Sequence, residues 1–488
     1  MQSKCQVFTP DNVVNKLLDE VGYRGALFGK KVCENSCGTG NILVGIVKRY
    51  IESCREDKLT DAQIKSGLKN DIFAADIDAS CCAKARERLD RLVARYGIQN
   101  VNWNIANIDF LTAVNSAGVF DYIIGNPPYV SYEDIDYNTR KMLRQNFATC
   151  SKGKFDYYYA FFEKAILQMS ENGRLAYIVP NSCFKNVFAS SLRDMIRPLV
   201  STIVDYKNRQ LFDVLTSSAI VVLSKQGNNG FFHYKSIENG ADNLLPSKVL
   251  ETAKWTFSTQ DTKDGEQIFG EVYIVSNSIA TLCNRVFIID SKEIEESSSS
   301  LIRLRNGLEI EKAVLKKAFS PKSMRLKKDQ YAIFPYRISK GVVESYDDNS
   351  LSQQFPLCHQ YLLRHKVLLG KRASDKQAQW FEYGRRQGFK TVSKRKLIMS
   401  TVVTDSVHIY EVDADSVVYA GIVITCETEA LLAEAKKTLE SRSFLDYVHD
   451  IGTNVSGSSI RITARDVSLY RYCLTPSQQN ASVKDSAS

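Results

Sequence analysis

Val119-Phe120-Asp121-Tyr122-Ile123-Ile124-Gly125-Asn126-Pro127-Pro128-Tyr129 joins an apolar run to two consecutive prolines. The run reads as a strand. Prolines cannot extend a hydrogen-bonded ladder, so the chain must leave the sheet at Asn126 in a rigid loop. Similar punctuation recurs on either side. Lys31-Val32-Cys33-Glu34 is a short strand followed by the glycine turn Cys37-Gly38-Thr39-Gly40 and a helical pattern over 42–50. A second strand, Ile72-Phe73-Ala74-Ala75-Asp76, leads into a helix over about 80–96. Downstream, a helix over 156–169 precedes strands over 174–179, 202–205 and 219–223. Upstream, Thr9-Pro10-Asp11 reads as a helix start, with Thr9 as N-cap and Pro10 at the first helical position. Strands alternating with helices of this length predict an α/β fold with a mostly parallel, doubly wound sheet.

The remaining organisation follows from composition. With 488 residues, 44% of them hydrophobic and 24% charged, a disordered or fibrous chain is excluded and two or three domains are expected. The texture becomes irregular after Asn228-Asn229-Gly230, which places a first domain at 1–230 and a second at 231–476, with a polar tail at 477–488. No run approaches the roughly 20 apolar residues of a membrane span. The opening Met1-Gln2-Ser3-Lys4-Cys5-Gln6 has no apolar core, so no signal peptide is expected. The 12 cysteines are scattered without a Cys-x-x-Cys pair, which argues for reduced thiols in the cytoplasm and against a structural zinc; no metal is expected. The net charge of +9 is unevenly placed: residues 301–400 hold 22 Lys or Arg against 8 Asp or Glu, and the rest of the chain sums to −5. Such a segment suits a polyanion, although a solvated basic face would look the same.

The loops at the strand ends carry the candidate chemistry. Gly38 and Gly40 let the backbone turn tightly beside a ligand at a helix N-terminus. Position 43 is Leu43 rather than glycine, so the dinucleotide fingerprint fails, and a plain strand-to-helix turn remains open. Asp76 ends the second strand, where a carboxylate can accept bonds from both ribose hydroxyls of a nucleoside, while Asp78 reads as a helix cap. Asn107-Ile108-Asp109-Phe110 places a short polar side chain beside an aromatic, suited to an adenine amino group and ring. At Asn126 the rigid loop lets a side-chain oxygen and a main-chain carbonyl converge, and two acceptors are what an exocyclic or amide NH2 needs. Tyr129 offers a face for a planar base; a stiff turn with an incidental aromatic is the bland alternative. The histidines sit at 233, 359, 365, 408 and 449, so histidine acid–base chemistry is absent from the first domain.

In order and spacing these motifs resemble the S-adenosylmethionine-dependent DNA adenine-N6 methyltransferases of the gamma motif order. Phe8-Thr9-Pro10 resembles the family's opening motif, Glu34-Asn35-Ser36-Cys37-Gly38-Thr39-Gly40 its glycine loop, and Asp109-Phe110 its adenine-binding pair. Asn126-Pro127-Pro128-Tyr129 resembles the catalytic motif. Phe155-Asp156-Tyr157-Tyr158 and Pro180-Asn181-Ser182 resemble later sheet-end motifs, and Phe212 the aromatic that contacts a flipped base. The family's loop usually reads Asp-Pro-x-Cys-Gly-x-Gly; here Glu34 keeps the carboxylate and the proline is lost. The resemblance is close over about 6–225. Beyond it, Ser276-Asn277-Ser278-Ile279-Ala280-Thr281, Phe334-Pro335-Tyr336 and the stretch 452–461 look like a target-recognition domain.

The resemblance implies a Rossmann-like methyltransferase domain followed by an α+β target-recognition domain. It implies S-adenosylmethionine as cofactor, held by Thr9, Pro10, Glu34, Ser36, Gly38, Gly40, Asp76, Asp109, Phe110 and Asn126. Catalysis would rest on Asn126, Pro127, Pro128 and Tyr129, by direct transfer to N6 of an adenine swung out of duplex DNA, with Tyr129 and Phe212 against the base. In the basic segment Arg303, Arg305, Lys371, Arg372, Arg385 and Arg386 are the candidate DNA contacts, with Lys327, Lys328, Arg364, Lys394, Arg395 and Lys396 beside them. Trp380, Phe381 and Tyr383 are candidate groove aromatics. A monomer acting on double-stranded DNA in a prokaryotic cytoplasm, at the nucleoid, is expected, with a separate restriction endonuclease as a possible partner. RNA adenine methylation, protein glutamine methylation and a catalytically inactive DNA-binding module are the alternatives.

Overall fold

The computed structural model describes residues 9–113, 119–210, 217–257, 266–339, 341–456 and 459–473. The chain divides into two compact units, Met1–Ser258 and Thr259–Ser488.

The first unit is built on a nine-stranded sheet. Its strands are β1 (Val32–Glu34), β2 (Ile72–Asp76), β3 (Asn104–Asn107), β4 (Phe120–Gly125), β5 (Met169–Pro180), β6 (Val200–Gln210), β7 (Ser217–Ser224), β8 (Phe231–Ser236) and β9 (Ala241–Pro246). They lie in the order β3-β2-β1-β4-β5-β7-β6-β8-β9. The first five are parallel, and β7 inserts antiparallel between β5 and β6. The helices are α1 (Asp11–Val21), α2 (Asn41–Glu56), α3 (Asp61–Asp71), α4 (Ala79–Ala94), α5 (Tyr137–Asn146), α6 (Tyr158–Gln168) and α7 (Ser190–Ile196). Alternate strand residues enter two separate cores. Val32, Ile124, Ala176 and Ile178 pack with α1 to α4, whereas Cys33, Ile123, Leu175 and Tyr177 pack with α5, α6 and α7. Both faces of the sheet are therefore covered, as double winding requires.

The boundary falls after Ser258 rather than near 230, because β8 and β9 extend the sheet: β8 pairs parallel with β6 and β9 antiparallel with β8. Helix α1 also differs from expectation. It begins at Asp11 with Pro10 at the N-cap, φ −64 and ψ 151. The Pro10 carbonyl accepts from the amides of Val13 and Val14, both at 3.0 Å, and a residue without an N–H loses nothing at that boundary. Thr9 does not cap the helix.

The second unit is α+β and more fragmented. A four-stranded antiparallel sheet combines Ile274–Asn277, Ile422–Thr425, Lys396–Met399 and Ile409–Val412. Several smaller sheets surround a core in which Phe287, Phe334, Tyr336 and Tyr383 pack edge to face or tilted. Among the described residues no helix is long and apolar enough to cross a membrane, and no cluster of His, Cys, Asp or Glu could hold a metal.

Candidate active site at the switch point of the sheet

Strands β1 and β4 are neighbours and parallel, with Cys33 opposite Ile123. The chain proceeds from β1 toward β3 on one side and from β4 toward β5 on the other, so the crevice beyond their carboxyl ends is the topological switch point where α/β sheets bind ligands. The glycine turn follows β1 and the Asn126 loop follows β4, both into that crevice.

The glycine turn is braced from three directions. The Cys37 amide donates to the Ala75 carbonyl at 3.0 Å and the Gly40 amide to the Cys37 carbonyl at 2.8 Å. Asp76 Oδ2 accepts from the Gly38 amide at 2.8 Å, and its Oδ1 from the Asp78 amide at 2.9 Å. Arg88, reaching across from α4, donates to the Thr39 carbonyl at 3.2 Å and to Asn41. Both glycines are left-handed, with φ +49 at Gly38 and +83 at Gly40. They differ in what surrounds them: a Cβ on Gly40 would lie 3.1 Å from the Ala85 Cβ, whereas nothing stands within 4 Å of one on Gly38. Gly40 is needed for packing on α4, and Gly38 opens a cradle.

Glu34, at the end of β1, is 2% exposed and its Oε2 has no hydrogen-bond partner. Burial pushes its carboxyl well above the usual carboxylate range; the Leu43 amide opposes this and Asp76 adds to it. Asn35, 1% exposed, donates through Nδ2 to the Tyr177 hydroxyl while its Oδ1 is left unpartnered. Glu34 and Asn35 thus each keep a buried polar atom without a partner among the described residues, beside an open glycine cradle. The Cys33 and Cys37 thiols are held far above their normal range by burial, then by Glu34, so neither is a nucleophile.

Asn126 sits at the centre of a small network. Its Nδ2 donates to Thr9 Oγ1 at 3.3 Å, its carbonyl accepts from Ser36 Oγ at 3.3 Å, and the Tyr129 hydroxyl donates to its Oδ1 at 2.5 Å. That hydroxyl also lies 2.9 Å from the Ile178 carbonyl. Thr9, 2% exposed, is thus turned toward Asn126 rather than toward α1. Tyr129 is half-buried. Its ring packs edge-on against Tyr158 at 6.0 Å, and burial raises its phenol well above the ordinary value. Pro127 is buried and Pro128 half-buried.

Other sequence readings are refined. Asn107 is occupied, donating to the carbonyls of Asp76 at 3.0 Å and Ile77 at 2.9 Å, so it shapes the Asp76 turn. Asp109 accepts from the Leu111 amide at 3.0 Å, and Phe110 is buried, stacked on Phe161 at 5.7 Å. Asp78 caps α4 through the amides of Ser80 and Cys81, as expected. Asp156 is raised to about 6 by burial, then by Glu133. The adjacent Tyr157 amide bonds the Val130 carbonyl at 2.9 Å, tying the loop after Tyr129 to the start of α6. Phe212 lies outside the described residues. Sequence reading missed Asn35, Arg88 and the Ser36–Asn126 tie, whose partners lie far along the chain.

In the second unit several candidates have partners within the chain. Arg372 donates to the carbonyls of Leu369, Thr281 and Trp380 at 2.8–2.9 Å and lies over the Phe287 ring, so it is a packing element. Arg386 pairs at 2.7 Å with the fully buried Glu382, and Arg303 with Glu296 and Glu309. Arg395 pairs with Glu429 and Asp413. Arg305 bonds the Lys292 carbonyl at 2.7 Å. Lys396 is 1% exposed and bonds the Ser416 carbonyl at 3.0 Å; burial lowers its ammonium to about 8. Phe381 and Tyr383 are fully buried, and Trp380 bonds Asp348 and packs against His359 and Lys366. Lys371 and Arg385 are exposed.

Comparison with known proteins finds similarity over part of the chain. Residues 43–212 match the Eco57I restriction-modification methylase model. The chain is 29% identical over 241 residues to the type II methyltransferase M.PaeR7I of Pseudomonas aeruginosa, covering 46% of this chain and 41% of that one. It is 27% identical over 306 residues to M.BstVI of Geobacillus stearothermophilus, covering 59% and 53%. Against the restriction enzyme and methyltransferase RM.Eco57I of Escherichia coli it is 26% identical over 323 residues, covering 57% and 32%. The chain thus spans about a third to a half of the length of these relatives. Its fold resembles that of the type IIL restriction-modification enzyme MmeI, solved in complex with DNA, with a TM-score of 0.62 at 14% identity over 98% of this chain and 66% of that one. The type ISP enzyme LlaGI gives 0.54 at 14% identity, over 95% and 46%. Residues 43–212 carry an Eco57I-like restriction-modification methylase domain.

Proposed function

We propose that the protein transfers a methyl group from S-adenosylmethionine to the N6 amino group of an adenine swung out of duplex DNA. The observation that carries this reading is Asn126, whose Oδ1 accepts from the Tyr129 hydroxyl and whose main-chain carbonyl is tied through Ser36 to the glycine turn. Glu34, Asn35, Gly38 and Asp76 suit the cofactor: two orphaned buried acceptors, an uncrowded glycine, and a carboxylate held by backbone amides. When bound, the cofactor supplies a methyl carbon made electrophilic by a positively charged sulfur.

The chain's own part is to hold the amine. Asn126 Oδ1 keeps one lone pair beside the one engaged by Tyr129, and the loop prolines fix the Pro127 carbonyl as a second acceptor. An NH2 donating to both presents its nitrogen lone pair in a defined direction. Positioning supplies the acceleration, because the methyl carbon is already activated. The buried aromatic surroundings of Tyr129, Tyr158 and Phe110 limit water at the site. One of the two original N–H protons leaves to water after transfer, when the nitrogen is positively charged and acidic, so no histidine is needed.

The test is transfer of tritium-labelled methyl to duplex DNA containing adenine, to the same duplex with N6-methyladenine, to RNA and to protein. Label is expected only on the first. Asn126→Ala should lower transfer at saturating duplex by about 10²–10³ while duplex binding survives. Loss of binding with normal turnover on bound DNA refutes the role, and label on RNA or protein refutes the substrate.

A further inference from the structure

The second unit contains a groove of about 320 Å³ lined by Asn284, Arg285, Lys322, Lys328, Gln330 and Tyr419, with Ile288 and Ser323 at its floor. None of the arginines singled out in the basic segment lies in it. The Arg285 guanidinium and the Lys322 ammonium are exposed and have no hydrogen-bond or ion-pair partner among the described residues. Lys328 has only a long ion pair, 3.7 Å to Asp290. Asp290 is also engaged by the Lys292 amide at 3.2 Å, so the groove keeps an excess of positive charge.

Its neutral groups are oriented with the same bias. The Cys283 amide donates to Thr281 Oγ1 at 3.0 Å, and the Thr281 hydroxyl passes its proton to Asn284 Oδ1 at 2.5 Å. Likewise Ser320 Oγ donates to the Tyr419 hydroxyl at 3.0 Å, which donates to Gln330 Oε1 at 2.8 Å. In both carboxamides the oxygen is turned to the protein and the NH2 is left to the groove. Three cations and two carboxamides whose NH2 groups have no partner among the described residues make the lining rich in donors. It suits a ligand that is anionic and offers several acceptor oxygens around one centre, which is the chemistry of a phosphate.

We infer that this groove seats a backbone phosphate of the bound nucleic acid. The inference rests on the DNA reading above and adds a site for it that composition does not reveal. A phosphate contact sets affinity and register without reading sequence. It releases condensed counterions, so it appears in the salt dependence of binding, with a slope of about −0.9 per phosphate.

The test is equilibrium binding of the full chain to short duplexes across a salt series, in wild type, Arg285→Ala/Lys322→Ala, and the charge-keeping Arg285→Lys/Lys322→Arg. The alanine pair should weaken binding about tenfold on every sequence and flatten the salt slope by about 1. The charge-keeping pair should retain most of the affinity. Tyr419→Phe, which frees the Gln330 amide to turn over, should weaken binding severalfold without altering the slope. Unchanged affinity and slope in the alanine pair overturn the inference while leaving the DNA reading intact. So does a groove that answers only to inorganic phosphate, seen as thermal stabilisation lost in the alanine pair while duplex binding is unaffected. Absence of duplex binding by the wild type overturns both.

Discussion

Tyr129→Phe separates the two things Tyr129 can do, because it keeps the ring and removes the hydroxyl. In the structure that hydroxyl lies 2.5 Å from Asn126 Oδ1 and 2.9 Å from the Ile178 carbonyl. Without it the Asn126 carboxamide keeps only the Nδ2 bond to Thr9 at 3.3 Å, beyond the usual range for such a bond. A neutral hydrogen bond is worth about 1 kcal/mol net, which corresponds to roughly a fivefold fall in kcat if it orients the acceptor in the transition state. Single-turnover transfer of labelled methyl at saturating duplex reads this directly, with KM values measured alongside. The expected result is kcat down about fivefold with KM for duplex changed by less than about twofold, since uniform binding is untouched. The Ile178 carbonyl loses a donor, so thermal stability should fall slightly. An unchanged kcat, or a loss carried wholly by KM, would refute the orienting role and return Tyr129 to a simple contact surface.

Two further outcomes follow from single positions. Gly40→Ala should cost folding stability roughly 2–4 kcal/mol, combining a left-handed alanine with overpacking on Ala85. Gly38→Ala should cost only about 1 kcal/mol yet weaken cofactor binding; denaturant unfolding and calorimetric titration of the cofactor distinguish the pair, and equal stability losses would contradict the packing difference. Lys396, lowered to about 8 by burial, loses its proton in the folded state before the unfolded chain does. Its contribution therefore makes stability rise as pH goes from about 8 to the unfolded value near 10.5, by about 3 kcal/mol at most. Lys396→Met should flatten that rise in urea midpoints, and an unaltered pH profile would mean the ammonium is solvated.

The parts of this fold that were legible in the sequence are those written in local chemistry. Pro127 and Pro128 end a strand whatever surrounds them, and Gly38 and Gly40 mark a turn because few other residues accept a positive φ. Spacing alone placed Asp76 at a strand end. It could not reveal that both carboxylate oxygens are engaged by the amides of Gly38 and Asp78. Thr9 illustrates a local rule overridden: a good capping residue was drawn instead to a partner 117 positions away. The antiparallel β7 and the added pair β8 and β9 carry no signature that distinguishes them from further parallel strands, and the domain boundary moved with them. The basic segment was the least legible. Arg372, inside that segment, and Arg285, outside it, are the same residue type. One is consumed by three carbonyls, the other is unpaired among the described residues, and the difference lies in partners brought together by folding. Lys396 looked like the end of a charge run but begins a buried strand.

The groups around Asn126 are four: Thr9 ahead of α1, Ser36 in the glycine turn, Tyr129 in the same loop after β4, and, through Tyr129, Ile178 on β5. Each link is an ordinary or long hydrogen bond, worth about 1 kcal/mol, and none of them is needed to close the sheet. A device of this kind makes sense only if the orientation of one carboxamide matters more than the stability its bonds confer. Backbone rigidity from the two prolines fixes where Asn126 starts, and the side-chain bonds fix where its oxygen ends. The tie through Ser36 reaches the Asn126 main-chain carbonyl, so the loop after β4 and the glycine turn belong to one network. Preorganisation of this kind stabilises a transition state without reorganisation at the moment of reaction. At Glu34 and Asn35 the protein also keeps buried polar atoms without a partner among the described residues, a state that costs folding energy.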